Sequence, residues 1–93
     1  MSTRITIERS HSLGLAAARE KAEKLADKLA REYDVKCRWN GDVLEFKRSG
    51  ADGQITVAED LVRVELKLGL LLSALGTTIR REIEQSLDKH LKA

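Results

Sequence analysis

Apolar and polar residues alternate at the start of the chain, and this period of two predicts a first strand over residues 3–8. Ile5 and Ile7 would share its apolar face. A period of three to four residues follows over residues 13–33 and predicts a long amphipathic helix. The apolar stripe of this helix consists of Leu15, Ala18, Ala22, Leu25, Leu29 and Tyr33.

The next segment predicts a hairpin. Val35, Cys37 and Trp39 alternate with basic residues, which is the pattern of a half-buried strand. Asn40-Gly41 is the strongest hairpin signal in the chain, because both residues tolerate the positive φ of a type I′ turn. With these two residues as the loop, the predicted pairs are Trp39 with Asp42, Cys37 with Leu44, Val35 with Phe46, and Lys36 with Glu45. This register keeps the apolar residues of both strands on one face.

Two further strands and a helix complete the pattern. Residues 49–53 form a turn cluster, and a second tight loop is predicted at Glu59-Asp60. That loop predicts the pairs Val57 with Val62 and Ile55 with Val64. The fifth strand would end near Leu68. The last helix would direct inward Leu75, Ile79, Ile83, Leu87 and Leu91.

These elements predict a single α+β domain over residues 1–93, in the order β-α-β-β-β-β-α. Its five strands would form a mostly antiparallel sheet with two helices packed on one face. Every strand has a polar side, so the opposite face of the sheet should contact water. The sequence leaves open where the first strand joins the sheet.

Composition narrows the classes of function. Of the 93 residues, 42% are hydrophobic, which is enough for a packed core. The 17 basic residues nearly balance the 15 acidic ones, and this argues against a dedicated nucleic-acid binder. The longest apolar stretch, near Leu70, is too short to span a bilayer, and no secretory signal follows Met1. We therefore expect a cytoplasmic protein.

The candidate chemical groups do not converge on a catalytic or metal site. Cys37 is the only cysteine and lies on the predicted apolar face, where a thiol is an inert packing residue. His11 and His90 lack the spacing of metal ligands, and no carboxylate orients Ser10-His11-Ser12. Ser10 or Ser12 is the expected N-cap of the first helix, and a cationic His90 would suit the last turn of the second. We expect no enzymatic activity, no cofactor and no metal.

A large internal pocket is also not expected. An empty cavity of ~300 Å³ would cost about 7 kcal/mol at ~24 cal/mol per Å³. A domain of this length has a net stability of only about that size. A shallow surface groove carries no such penalty.

The wet face of the sheet is a candidate binding surface. Its basic members would be Arg4, Lys36, Arg38, Lys47, Arg63 and Lys67. Binding of nucleic acid or phosphate there is one interpretation, and an ordinary solvated face is the other. Sheets that bind single strands expose aromatic residues for stacking, whereas Trp39 and Phe46 fall on the apolar face here.

A leucine-rich segment over residues 69–76 is the second candidate surface. Its four leucines are Leu70, Leu71, Leu72 and Leu75. On a helix Leu72 and Leu75 would face the core with Ile79, leaving Leu70 and Leu71 partly exposed. The segment then either closes the core or contacts a hydrophobic body, a protein partner or a second copy of the chain.

Several stretches together resemble the polyhydroxyalkanoic acid system protein family, small bacterial proteins named for gene neighbourhoods concerned with polyester storage granules. These stretches are RSHSLG at 9–14, FKRSG at 46–50 with Gly53, VRVELKLG at 62–69 and LLSAL at 71–75. The resemblance implies a non-catalytic, granule-associated accessory protein, whose contact with a granule surface or granule protein we assign to the leucine-rich segment. It brings no catalytic residues. Relatives carry a proline shortly after the Leu75 position, where this chain has Gly76-Thr77-Thr78.

Overall fold

The computed structural model describes residues 3–91, except the side chain of Leu71. The elements in chain order are β1 (Thr3–Ser10), α1 (Leu15–Tyr33), β2 (Lys36–Asn40), β3 (Val43–Arg48), β4 (Ala51–Val57), β5 (Leu61–Leu68), α2 (Leu70–Ser73) and α3 (Gly76–His90). This order confirms the predicted α+β fold. The four-residue α2 is an addition, because the leucine-rich segment forms a separate turn before the last helix.

The strands form one antiparallel sheet in the order β1-β5-β4-β3-β2. β1 pairs with β5 along its whole length, from Thr3 opposite Leu68 to Ser10 opposite Leu61. The sequence left open where β1 joins the sheet, and the structure places it at one edge. β2 forms the other edge, beside β3.

The register of the two hairpins tests the turn predictions. Val57 pairs with Val62 and Ile55 with Val64, as predicted for the Glu59-Asp60 loop. The pairs predicted around Asn40-Gly41 are wrong: Asn40 pairs with Val43, so the loop consists of Gly41 and Asp42.

The first hairpin shifts because one residue of its loop has a positive φ. Gly41 has φ 64°, whereas Asn40 and Asp42 are not in the left-handed region. A glycine with positive φ at the first loop position is typical of a type II′ turn. The shift of two positions keeps the apolar residues on one face, but it places Lys36 opposite Lys47 and Arg38 opposite Glu45.

Both long helices cover the same face of the sheet, as predicted. The buried residues of the sheet are Ile5, Ile7, Leu44, Phe46, Ile55, Val57, Val62, Val64, Leu66 and Leu68. From the helices, the buried hydrophobic residues are Ala18, Ala22, Leu25, Ala26, Leu29, Ile79, Ile83 and Leu87, with Leu91 just beyond α3. Leu15 and Tyr33 pack at the margin of this core.

The predicted N-cap of α1 is wrong. Gly14, with φ 83°, occupies the cap position without a side-chain cap, and α1 begins at Leu15. The preceding loop is held by His11 instead. Its Nδ1 accepts a hydrogen bond from the Leu13 N–H at 3.1 Å, and its Nε2 lies 3.2 Å from the carbonyl oxygen of Ala58. A neutral ring with the proton on Nε2 satisfies both contacts.

The predicted burial of Cys37 is also wrong. The residue is exposed, although its Sγ lies 3.8 Å from the carbonyl oxygen of Ala26 on α1. An edge strand has a neighbour on one side only, and every residue of β2 except the half-buried Trp39 is exposed. Partial desolvation of Sγ beside α1, together with the nearby Asp27, raises the pKa of the Cys37 thiol.

Candidate functional site

The most exposed large hydrophobic residues among the described side chains are Leu70, at 74% exposure, and Leu75, at 42%. We call these two residues the leucine tip. Leu72 is partly buried against the core, which agrees with its predicted inward direction. The side chain of Leu71 lies outside the described part of the chain.

The exposure of Leu75 corrects the prediction that it faces the core. Leu75 does not belong to α3, but occupies the N-cap position before it. The chain turns between α2 and α3, where the Leu75 N–H donates to the Leu72 carbonyl at 2.9 Å. The prediction extended the helical spacing from Ile79 back to Leu75. It is wrong for Leu75 because the helix begins only at Gly76.

Backbone hydrogen bonds fix the leucine tip to the sheet. The Gly69 N–H donates to the Gly50 carbonyl at 2.6 Å, joining the start of α2 to the turn between β3 and β4. The Ser73 hydroxyl lies 2.9 Å from the Gly69 carbonyl oxygen and 3.3 Å from that of Leu68. The exposed leucines therefore stand on a braced turn rather than on a free loop.

A row of basic side chains crosses the outer face of the sheet at the same end. Strand register places five exposed residues side by side, and we call this set the basic row: Arg4, Lys67, Asp52, Lys47 and Lys36. Neighbouring strands lie about 4.8 Å apart, so the row is a short line of five side chains. The single carboxylate, Asp52, lies in the middle, with two cations on each side.

Two of the predicted basic residues do not join this row. Arg63 lies opposite Glu8 and bonds to it through Nε at 3.2 Å. Arg38 lies opposite Glu45. Arg4, which the sequence placed on the polar face, becomes the end of the basic row because β1 is an edge strand beside β5.

The remaining candidate groups are dispersed. His90 is at the end of α3, and burial together with Lys21, Lys89, Lys24 and Lys28 lowers its pKa. Burial, the largest cause, and these lysines both disfavour the charged ring, which goes against the expectation that a cationic His90 suits the last helical turn. Residues 3–91 contain no group of three His, Cys, Asp or Glu side chains that could hold a metal ion.

One acidic contact lies between the two long helices. The Tyr33 hydroxyl donates to Glu82 Oε2 at 3.1 Å. Burial and this hydrogen bond raise the pKa of Tyr33 to about 12. A hydrogen bond with Glu82 also raises the pKa of Glu32. This arrangement connects α1 to α3.

The enclosed space of the core is small. A cleft of about 30 Å³ is lined by residues that include Leu29, Tyr33, Phe46, Arg48 and Leu72. Its volume matches that of about one water molecule and is far below the ~300 Å³ of typical ligand pockets. None of the described helices is long and apolar enough to cross a membrane.

The chain matches one known protein family over nearly its whole length. The model of the family described as "putative polyhydroxyalkanoic acid system protein" matches residues 5–91, which is nearly the whole chain. No curated protein and no solved structure matches the chain. The family match includes most of β1, the basic row from Lys67 to Lys36 and the leucine tip. The chain therefore belongs to the polyhydroxyalkanoic acid system protein family.

Proposed function

We propose that this protein is a non-catalytic accessory protein of polyhydroxyalkanoate metabolism, which contacts a granule surface or a granule protein through the leucine tip. The observation that carries the proposal is the 74% exposure of Leu70 on a braced turn. Exposed apolar residues that lie close together are typical of a contact surface, and Leu75, five residues further along the chain, is the second one here. Membership of the family supplies the metabolic context.

The basic row suggests that the surface bound by the leucine tip also carries negative charge. Lys67 precedes Leu70 by three residues, and Arg4 pairs with Lys67, so cations border the leucine tip. A polyester chain ends in a carboxylate, which such cations would attract. Apolar burial would supply the affinity, and the basic row would orient the protein.

The size of the leucine tip predicts weak attachment. Burial of one leucine contributes about 1.5–3 kcal/mol. Leu70 and Leu75 are 74% and 42% exposed, so together they have little more than one leucine of surface left to bury. They therefore contribute about 2–3 kcal/mol, which is less than the ~4 kcal/mol or more that association costs. We expect a single protein to bind reversibly, and linked copies to bind more strongly.

The test is co-sedimentation of the protein with polyhydroxybutyrate particles. Leu70→Asp places a charge at the leucine tip without removing a core contact, and we expect it to reduce the bound fraction severalfold. Leu61→Asp is the matched control, because Leu61 is a half-buried residue at the start of β5, far from α2. Circular dichroism checks that both variants are folded. Equal binding by the folded Leu70→Asp variant and the wild type contradicts the proposal.

A second function is favoured by the basic row itself. Its four cations and one carboxylate form a strip that suits a phosphate chain, so the protein would act as a nucleic-acid or phosphate-binding module. Binding of this kind falls steeply as salt is added. Titration with a labelled single strand at low salt, using Lys67→Glu and Lys47→Glu, separates this function from the first. Loss of affinity in these variants, with Leu70→Asp unchanged, supports it, and an absence of binding rejects it.

A further inference from the structure

The open edge of β1 has a defined set of free backbone groups. The His11 N–H donates to the Asp60 carbonyl at 2.9 Å, continuing the ladder between β1 and β5. In an antiparallel ladder, alternate residues direct both backbone groups to the same neighbour. Odd-numbered residues of β1 therefore bond to β5. Arg4, Thr6 and Glu8 direct their N–H and C=O groups to the open edge.

The side chains of these three residues are complementary in charge to the same three residues of a second, antiparallel copy. Consider a second copy whose β1 runs antiparallel beside the first, with the two-fold axis at Thr6. Thr6 then faces Thr6, and Arg4 of each copy faces Glu8 of the other. All three pairs are hydrogen-bonded pairs with two backbone bonds each. Shifting the register by two residues in either direction loses both Arg–Glu pairs.

Arg4 and Glu8 are not fully paired with opposite charges within their own chain. Arg4 is exposed and lies opposite Lys67, a like charge that disfavours the pair. Among residues 3–91, Arg4 has no ion-pair partner. Glu8 accepts one bond from Arg63 through Oε1, which leaves Oε2 available. A second copy would supply Arg4 with the carboxylate that its own chain does not provide.

We propose that the protein forms a symmetric homodimer through the edge of β1, joining two sheets into one sheet of ten strands. The interface is isologous, which is the commonest symmetry of small oligomers. The interface does not use the leucine tip, but it does use Arg4, the residue at the β1 end of the basic row. Because the two β1 strands run in opposite directions, the two leucine tips would point to opposite ends of the dimer.

Among residues 3–10, Arg9 has the side chain at this edge that needs to be accommodated. Its Nη1 donates to the Glu8 carbonyl at 2.9 Å. A carbonyl oxygen has two lone pairs, so it can also accept the N–H of Arg4 from the second copy. The residue opposite Arg9 in the proposed register is Thr3, whose small side chain leaves space for the guanidinium.

The edge of β2 does not offer the same interface. The Val57 N–H donates to the Asp42 carbonyl, which fixes the alternation in β3 and leaves Cys37 and Trp39 facing the open edge of β2. The register that pairs all five residues of this strand places Arg38 opposite Arg38, and a shift of two residues in one direction places Lys36 opposite Arg38. Such like-charged pairs are a common protection of an edge strand.

The first test is sedimentation velocity over a range of protein concentrations, with Arg4→Glu as the main variant. This change places a carboxylate opposite Lys67, which favours the single chain, but the same carboxylate lies opposite Glu8 in the dimer. We expect the dissociation constant to rise at least about tenfold, given two attractive pairs replaced by two repulsive ones. Lys36→Glu is the matched control, because it makes the same change in the basic row at the other edge, and it should leave the dimer intact.

A charge swap should restore the dimer. In Arg4→Glu/Glu8→Arg/Arg63→Glu the charges of the interface are exchanged, and the third change keeps residue 8 paired within its own chain. Recovery of the wild-type dissociation constant supports the proposed register. A wild-type protein that is monomeric up to millimolar concentration overturns the proposal, as does a dimer that Leu70→Asp dissociates and Arg4→Glu does not.

A cross-link tests the two-fold axis directly. At the proposed register the two Thr6 Cα atoms lie about 5.5 Å apart, within the 4.4–6.8 Å range of disulfides. Thr6→Cys in a Cys37→Ser background should therefore form a disulfide-linked dimer under mild oxidation. Thr56→Cys, in the centre of the same exposed face, should not. Equal cross-linking of the two variants rejects the axis at Thr6.

Discussion

The two edges of the sheet are stabilised in different ways. β1 has eight residues, and its inner side chains Ile5 and Ile7 are only 2% and 3% exposed beneath α3. β2 has five residues, of which only Trp39 is half-buried. β1 is thus attached by apolar burial. A strand with so little buried surface as β2 needs another attachment.

Polar contacts to α1 provide that attachment for β2. The Arg19 Nη1 donates to the Gly41 carbonyl and to Asp42 Oδ1, each at 2.8 Å. Its guanidinium carbon lies 4.1 Å from the centroid of the Trp39 ring, and Trp39 Nε1 donates to Glu23 at 3.0 Å. We call this set of contacts the Arg19 clamp. The difference between β1 and β2 shows that cation–π and hydrogen-bond contacts can hold an edge strand whose buried surface is small.

Truncation of one inward side chain on each edge is the strongest test of this comparison. Ile7→Ala should lower the free energy of unfolding by about 3 kcal/mol, because it removes buried methylene groups and leaves a cavity. Cys37→Ala at the exposed edge should change it by less than about 0.5 kcal/mol. Urea unfolding followed by circular dichroism measures both. Similar losses in the two variants would contradict the difference between the edges.

The sequence predicted the fold well wherever hydrophobic pattern and turn chemistry agreed. At Glu59-Asp60 a loop of two residues and the flanking valines select the same register, and the structure has it. At Asn40-Gly41 the pattern accepts two registers that differ by two residues, since both keep Cys37 on the same face. The choice depends on φ at Gly41 and on Arg19 of a distant helix, which no local pattern contains.

The candidate surfaces were only partly predictable for a similar reason. Exposure of Leu70 follows from the excess of leucines in one short turn, and it was expected. Exposure of Leu75 depends on where α3 begins, and helix boundaries are the least certain part of a periodic pattern. The basic row depends on the lateral order of the strands, so it could not be recognised until β1 was placed beside β5.

A smaller effect is expected from removal of the Arg19 clamp. Arg19→Ala should lower the free energy of unfolding by about 1 kcal/mol, since it removes a cation–π contact and a half-exposed ion pair. Because Trp39 is the only tryptophan, its fluorescence should shift to longer wavelength in the folded variant as well. Arg19→Lys is the control for charge alone, and it should restore only part of the loss. Fluorescence unchanged in Arg19→Ala would exclude the clamp as the main attachment of β2.

The smallest effect concerns the thiol at the β2 edge. Cys37 is exposed, yet burial of its Sγ beside Ala26 and the charge of Asp27 raise its pKa. The thiolate is the reactive form, so alkylation at pH 7.5 should be slower in the folded protein than in the urea-unfolded chain. Asp27→Asn removes the charge but not the burial, and it should accelerate the folded-state reaction by less than about fivefold, corresponding to less than ~1 kcal/mol. A reaction that is as fast in the folded wild type as in urea would mean that the packing of Sγ against α1 and the charge of Asp27 do not raise the pKa of the thiol in the folded protein.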